Sequence, residues 1–176
     1  DKKMIPPEKF GVKLMSMAFF QENEDEAIIW RGPMIHNAIN QMLQSTDWGD
    51  LDYLIVDLPP GTSDAPLTIM QVLTMDGFIV VTTPQELAKI DAKRSINMVR
   101  KLQVNVLGVV ENMSGGVFGE GAGKEIADEL DLDFLGAIGL RSEYQDTSKP
   151  TSLLSNDVLN EYRTVSEKAL AVLASN

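Results

Sequence analysis

The sequence predicts a doubly wound α/β fold with a mostly parallel sheet, and three observations carry that expectation. Short apolar runs alternate with amphipathic stretches at helical spacing, which is the pattern of strands covered by helices on both faces. Three of the runs end in distinctive residues: Asp57-Leu58-Pro59-Pro60-Gly61, Thr82-Thr83-Pro84 and Glu111-Asn112-Met113. Ligands of such folds bind outside the carboxyl ends of the strands, so these endings localise a site. The 176 residues, 44% hydrophobic and 23% charged, match ordinary globular usage. A single domain over residues 1–176 follows, burying about 70% of its unfolded surface.

The elements come in order. Val12–Phe20 has an apolar, strand-like character, and a polar acidic loop follows at Gln21–Glu26. Trp30-Arg31-Gly32-Pro33 opens a helix, because proline suits the first turn and Met34, Ile35, Ala38, Ile39, Met42 and Leu43 recur on one face. Tyr53–Leu58, Phe78–Val81 and Val104–Val110 read as buried strands. Leu67–Leu73 and Glu86–Leu102 read as helices between them. A glycine-rich loop, a helix near Lys124–Leu130, a short strand at Phe134–Ile138 and a last helix at Val158–Leu173 complete the chain.

Composition excludes several classes. The formal net charge of −11 repels nucleic acid and anionic lipid, so neither is expected as a partner. A bound phosphate must then be held by backbone N–H groups, a metal ion or a few placed cations. No apolar run approaches the roughly 18 residues of a membrane span. With zero cysteines there are no disulfides, and the charged, proline-containing start does not read as a signal peptide. A cytoplasmic location is expected. His36 is the single histidine, which leaves no ligand set for structural zinc. The nine methionines read as core filler, and the acidic loop as solvated surface. Asp64 reads equally as an exposed loop aspartate or as a residue that positions water or a partner.

Asp57 ends an apolar run, where a carboxylate is costly to bury without a partner. Magnesium, reached directly or through water, is one such partner. Taken alone, the residue also reads as an ordinary strand end capped by a turn. Pro59 and Pro60 stiffen the exit, and Gly61 lets backbone approach a ligand closely. Asn112 follows another buried run, and its amide offers both donor and acceptor to an adenine edge. It reads equally as a turn cap.

The string LDYLIVDLPPGTSDAPLTIMQ, Leu51–Gln71, resembles the Mrp family of deviant-Walker P-loop ATPases, relatives of MinD and ParA. The likeness continues in Trp30-Arg31-Gly32-Pro33, in Val80–Met98 and in Leu107–Gly115, in order and with the family's spacing. It implies a P-loop NTPase fold and an ATP- or ADP-binding homodimer with weak magnesium-dependent ATPase activity. It also implies carriage or assembly of iron–sulfur clusters, with assembly or acceptor proteins as partners. By the same resemblance Asp57 is the Walker B aspartate serving magnesium, and Gly61, with Pro60 beside it, senses the terminal phosphate. Asn112, Met113, Leu140 and Arg141 then face the base. Gly139 stands where the family usually has proline.

Two departures weigh on that implication. The family's glycine-rich phosphate loop, ending in lysine and a hydroxyl residue, does not occur in the sequence. The reading is therefore of a C-terminal portion without its N-terminal P-loop strand, or of a different strand filling that place. The one glycine-lysine pair, Gly123-Lys124, lies between a strand and a helix, but its spacing is wrong and Glu125 replaces the required Ser or Thr. The C-x-x-C pair of cluster-carrying relatives is also absent: Ser114-Gly115-Gly116-Val117-Phe118 runs straight on. The alternative to an ATPase is a non-catalytic interaction module, or a regulatory nucleotide switch, that keeps the fold.

Overall fold

The computed structural model describes residues 3–20, 32–58 and 64–175. They divide between two compact units, Asp1–Thr74 and Met75–Asn176.

In the first unit, β1 (Glu8–Lys9) and β2 (Val12–Lys13) pair antiparallel. Phe10 and Gly11 both take positive φ, 56° and 75°, as a two-residue turn between right-twisted strands requires. The expected strand at Val12–Phe20 is cut short, because Met17–Phe20 forms a 3₁₀ turn. Ser16 causes it: its hydroxyl accepts the Ala18 N–H at 3.2 Å and its carbonyl the Phe19 N–H at 3.1 Å. Such local bonds compete with an extended ladder. Helix α1 (Gly32–Gln44) packs against α2 (Asp64–Val72). Beyond α1, Thr46 bridges Met4, with the Asp47 N–H donating to the Met4 carbonyl at 2.8 Å.

The run Tyr53–Leu58 departs from expectation. It joins no ladder among the described residues, and Ile55 is 85% exposed. An apolar run becomes a strand only when a neighbour takes its N–H and C=O groups, and the first unit offers this one no described neighbour.

In the second unit, β3 (Phe78–Thr82), β4 (Val106–Ser114) and β5 (Phe134–Gly139) form a parallel sheet in that order. The crossovers are α3 (Glu86–Lys101) and α4 (Ala122–Leu130), and α5 (Asn156–Ser175) follows β5. Ala92, Ile96 and Val99 bury one face of α3, at the spacing of an amphipathic helix. Glu86 in its first turn and Arg100 and Lys101 in its last complement the helix dipole. Val106–Val110 is buried throughout, as a central parallel strand must be. Gly108 makes this possible: with φ 152°, its position would carry a Cβ only 2.4 Å from the Asp133 carbonyl.

Helices cover both faces of this sheet. Val110 packs in a cluster with Leu135, Ile138 and Ala169 of α5, while the next residue, Glu111, bonds to the start of α4. Since successive strand side chains point to opposite faces, α4 and α5 lie on opposite sides. The doubly wound expectation holds here. No helix among the described residues is long and apolar enough to cross a membrane.

Candidate functional site

Parallel crossovers bring the carboxyl ends of β4 and β5 to one edge. Asn112 pairs with Ile138 and Ser114 with Gly139, and Met113 between them is the extra residue of a bulge. Met113 adopts φ 56°, uncommon for a side chain of its size. The Asn112 Oδ1 stabilises that turn by accepting the Met113 N–H at 2.9 Å. Bulges re-aim side chains, and they are frequent beside functional sites. Across the edge, the Leu140 N–H donates to the Ser114 carbonyl at 3.0 Å. Four sequence-predicted residues, Asn112, Met113, Leu140 and Arg141, are thus brought together on neighbouring segments. Thr82 and Thr83 knit the end of β3 locally, the Thr83 hydroxyl lying 2.8 Å from Gln85 Oε1.

Arg141 does not present a free cation. Its guanidinium donates to Glu161 of α5, whose other oxygen accepts the Gly139 N–H at 3.2 Å. A proline at 139 could not make that bond. The Glu161 hydrogen bond raises the Arg141 pKa further above its ordinary value. Burial, then the Glu161 charge, raises that of Tyr144. Glu161 has no signal in the sequence, lying 20 residues from Arg141 on a different element.

Glu111 is 1% exposed. Its carboxylate accepts from Gly123 N–H at 2.7 Å, Ser114 Oγ at 2.7 Å and Gly121 N–H at 3.0 Å. Burial works to raise its pKa, but these bonds, with one from Ala122, together outweigh it and hold the carboxyl below its ordinary value. Helix N-termini leave N–H groups unsatisfied, and Gly121 at the N-cap supplies no side chain. Glu111 therefore caps α4 from the neighbouring strand. The Lys124 ammonium, meanwhile, bonds both Asp128 oxygens at 2.9 Å along the helix. The Gly123-Lys124 segment is built as a helix start already occupied by an internal anion. A charge ending an apolar run was the sequence signal for Glu111; its partners, ten and twelve residues on, were not visible.

Asp57 is exposed in the first unit. Pro60 and Gly61 lie outside the described residues, as do Pro59, Trp30 and Arg31, and Asp64 is the first residue of α2. A single exposed carboxylate suits magnesium, which keeps several waters and takes one or two carboxylates plus phosphate oxygens. Among the described residues no three His, Cys, Asp or Glu side chains gather as a protein metal cage would need. Iron–sulfur cargo does not fit these residues, since the chain has no thiol. A cavity of about 340 Å³ lined by Arg100, Asn105, Asp131 and Asp133 lies at the opposite, amino end of β4 and β5.

Three parallel strands with helices on both faces, and a bulged carboxyl edge, make a doubly wound α/β domain of the class that takes its ligands at that edge. Residues 1–173 match the ParA family described as the NUBPL iron-transfer P-loop NTPases, and the chain belongs to that family. It is 39% identical over 186 residues to the iron–sulfur cluster transfer protein NUBPL of Dictyostelium discoideum, covering 97% of this chain and 57% of that one. It is 42% identical over 184 residues to the iron–sulfur cluster carrier protein of Deinococcus radiodurans, covering 99% and 51%. Among solved structures, the Archaeoglobus fulgidus nucleotide-binding protein in complex with ADP superposes with a TM-score of 0.65 at 30% identity, covering 100% of this chain and 65% of that one. The MinD cell-division ATPase of Pyrococcus furiosus shares the fold, with a TM-score of 0.59 at 15% identity, covering 83% and 63%. The chain spans about half to two thirds of the length of these relatives.

Proposed function

We propose that this chain is the C-terminal, base-binding portion of a single Mrp-type nucleotide-binding domain whose ATP state controls a homodimer. The observation that carries this reading is the convergence of Asn112–Ser114 and Gly139–Arg141 at one strand edge, in a chain of this family. There the Asn112 amide and the backbone beside Leu140 and Arg141 receive the adenine of ATP or ADP. Asp57 holds magnesium, directly or through water, and Pro60-Gly61 approaches the terminal phosphate. Bound magnesium neutralises phosphate charge and so supports slow hydrolysis. The relatives' names support iron–sulfur transfer as the role of the whole protein, with assembly or acceptor proteins as partners. Any cluster ligands then come from outside the present residues.

A second reading, an interaction module or nucleotide switch without catalysis, draws on one observation. The 176 residues contain no phosphate loop, and the nearest imitation is occupied by Glu111.

Photolabelling with 8-azido-ATP and magnesium tests the first reading. Adducts are expected within residues 111–119 and 139–146, and ADP should compete them away. Adducts confined elsewhere, or indifferent to ADP, would overturn it.

A further inference from the structure

We infer that Glu161 is a positioning residue for the base subsite: its carboxylate bridges Gly139 and Arg141 and so fixes the turn beside Asn112. The inference rests on the nucleotide reading above. Three consecutive residues of this turn are each anchored. Gly139 donates its N–H to Glu161 Oε2 at 3.2 Å, and Arg141 donates through its guanidinium to Glu161 Oε1. Between them Leu140 donates its N–H to the Ser114 carbonyl at 3.0 Å. One carboxylate from α5 and one carbonyl from β4 thus hold the Gly139 and Leu140 N–H groups and the Arg141 side chain.

The geometry suits positioning more than surface decoration. The Arg141 and Glu161 side chains are only 27% and 23% exposed, so water screens the pair less than an exposed one. The Arg141 Nε and the Tyr144 hydroxyl are both buried beside it. Desolvation there works against the charged guanidinium, and the Glu161 hydrogen bond is the largest contribution that opposes it. Removing the carboxylate would leave a half-buried cation without its ion-pair partner, a glycine N–H without its acceptor and a turn tied only at Leu140. A flat base depends on the place of such a turn, since a recognition hydrogen bond tolerates only a few tenths of an ångström.

Titrating ADP and GDP at millimolar concentration into ¹⁵N-labelled chain tests this, using the parent, Glu161→Gln and Glu161→Leu. In the parent, ADP should shift the amides of residues 112–114 and 140–141, and bind more tightly than GDP. Glu161→Leu should weaken ADP about fivefold, the value of one hydrogen bond, and erase the preference over GDP. Glu161→Gln keeps an oxygen for the Gly139 N–H and should fall between the two; it carries the test if the leucine variant does not fold. Thermal unfolding of each variant gives the control. A lowered Tm with affinity and base preference unchanged overturns the proposal and leaves the nucleotide reading intact. Failure of ADP to shift these amides in the parent removes the nucleotide reading, and this proposal with it.

Discussion

Glu111 accepts the N–H of Gly123 at 2.7 Å, and only a glycine allows so close an approach, because a Cβ at 123 would lie 2.8 Å from the Glu111 Cβ. The contact ties β4 to the first turn of α4. It also fills the place where a phosphate would otherwise meet a helix N-terminus. A glycine-lysine pair after a strand is thus not a phosphate loop when the strand itself supplies the anion.

Replacing this carboxylate should be costly. Glu111→Gln keeps one acceptor but sets an amide NH₂ against the N–H donors of Gly121 and Gly123. A loss of about 3 kcal/mol at neutral pH is expected, from hydrogen bonds to a charged group worth about 1.5–3 kcal/mol each. The pH dependence has a definite sign. The folded pKa lies below the ordinary 4.5, so the contribution is fully present above that value and is lost as pH falls through the folded pKa. Urea unfolding of parent and variant should show a wide gap at pH 7 that narrows below about pH 4.5. A gap independent of pH would show that the charge plays no part.

The sheet of the second unit was legible because burial on both faces writes apolar runs, and crossover helices write their own period. Its details were not. Strand β4 continues through Glu111, Asn112, Met113 and Ser114, since β5 supplies partners and α4 supplies N–H groups for Glu111. Neither fact is local to that segment. Tyr53–Leu58 reads as a strand by composition, yet a strand is a property of a pair and this run has no described partner. At the proposed site, Asn112 was marked by its place after a buried run, and Leu140 only by the family resemblance. Glu161 was not, because an exposed-looking glutamate on an amphipathic helix carries no mark of the turn it holds.

The 176-residue chain should bind Mg-ATP only weakly. Base contacts alone leave three charged phosphates facing a protein of net charge −11, with no phosphate loop to receive them. Isothermal titration should therefore find no affinity near 1 μM, which corresponds to about −8.2 kcal/mol. A dissociation constant in the low micromolar range would show that another part of this chain grips the phosphates.

In the intact protein, Asp57→Asn should impair magnesium-dependent hydrolysis more than nucleotide binding. On the proposed reading the carboxylate serves the metal, whereas the base contacts lie on β4 and just after β5. A fall in kcat of about tenfold or more, with Kd for ATP changing less than about threefold, is the expected pattern. Equal turnover in parent and variant would remove Asp57 from the Walker B role.

The chain should hold no cysteine-ligated iron–sulfur cluster on the residues it has. The names of its relatives point the other way, so ligand inventory has to decide. There is no cysteine and one histidine, His36, and the 26 acidic residues offer only hard oxygen donors. Such donors suit magnesium, calcium or manganese, whereas sulfide-bridged iron calls for thiolates. The described carboxylates do not gather into a metal-binding group either. Anaerobic reconstitution with iron and sulfide, followed by absorption spectroscopy and acid-labile sulfide assay, should leave the chain without a cluster. A stoichiometric cluster on these 176 residues would defeat the argument. A cluster that forms only on a longer chain, and is lost when that chain's added cysteines are replaced by serine, would place the ligands outside the residues described by this sequence.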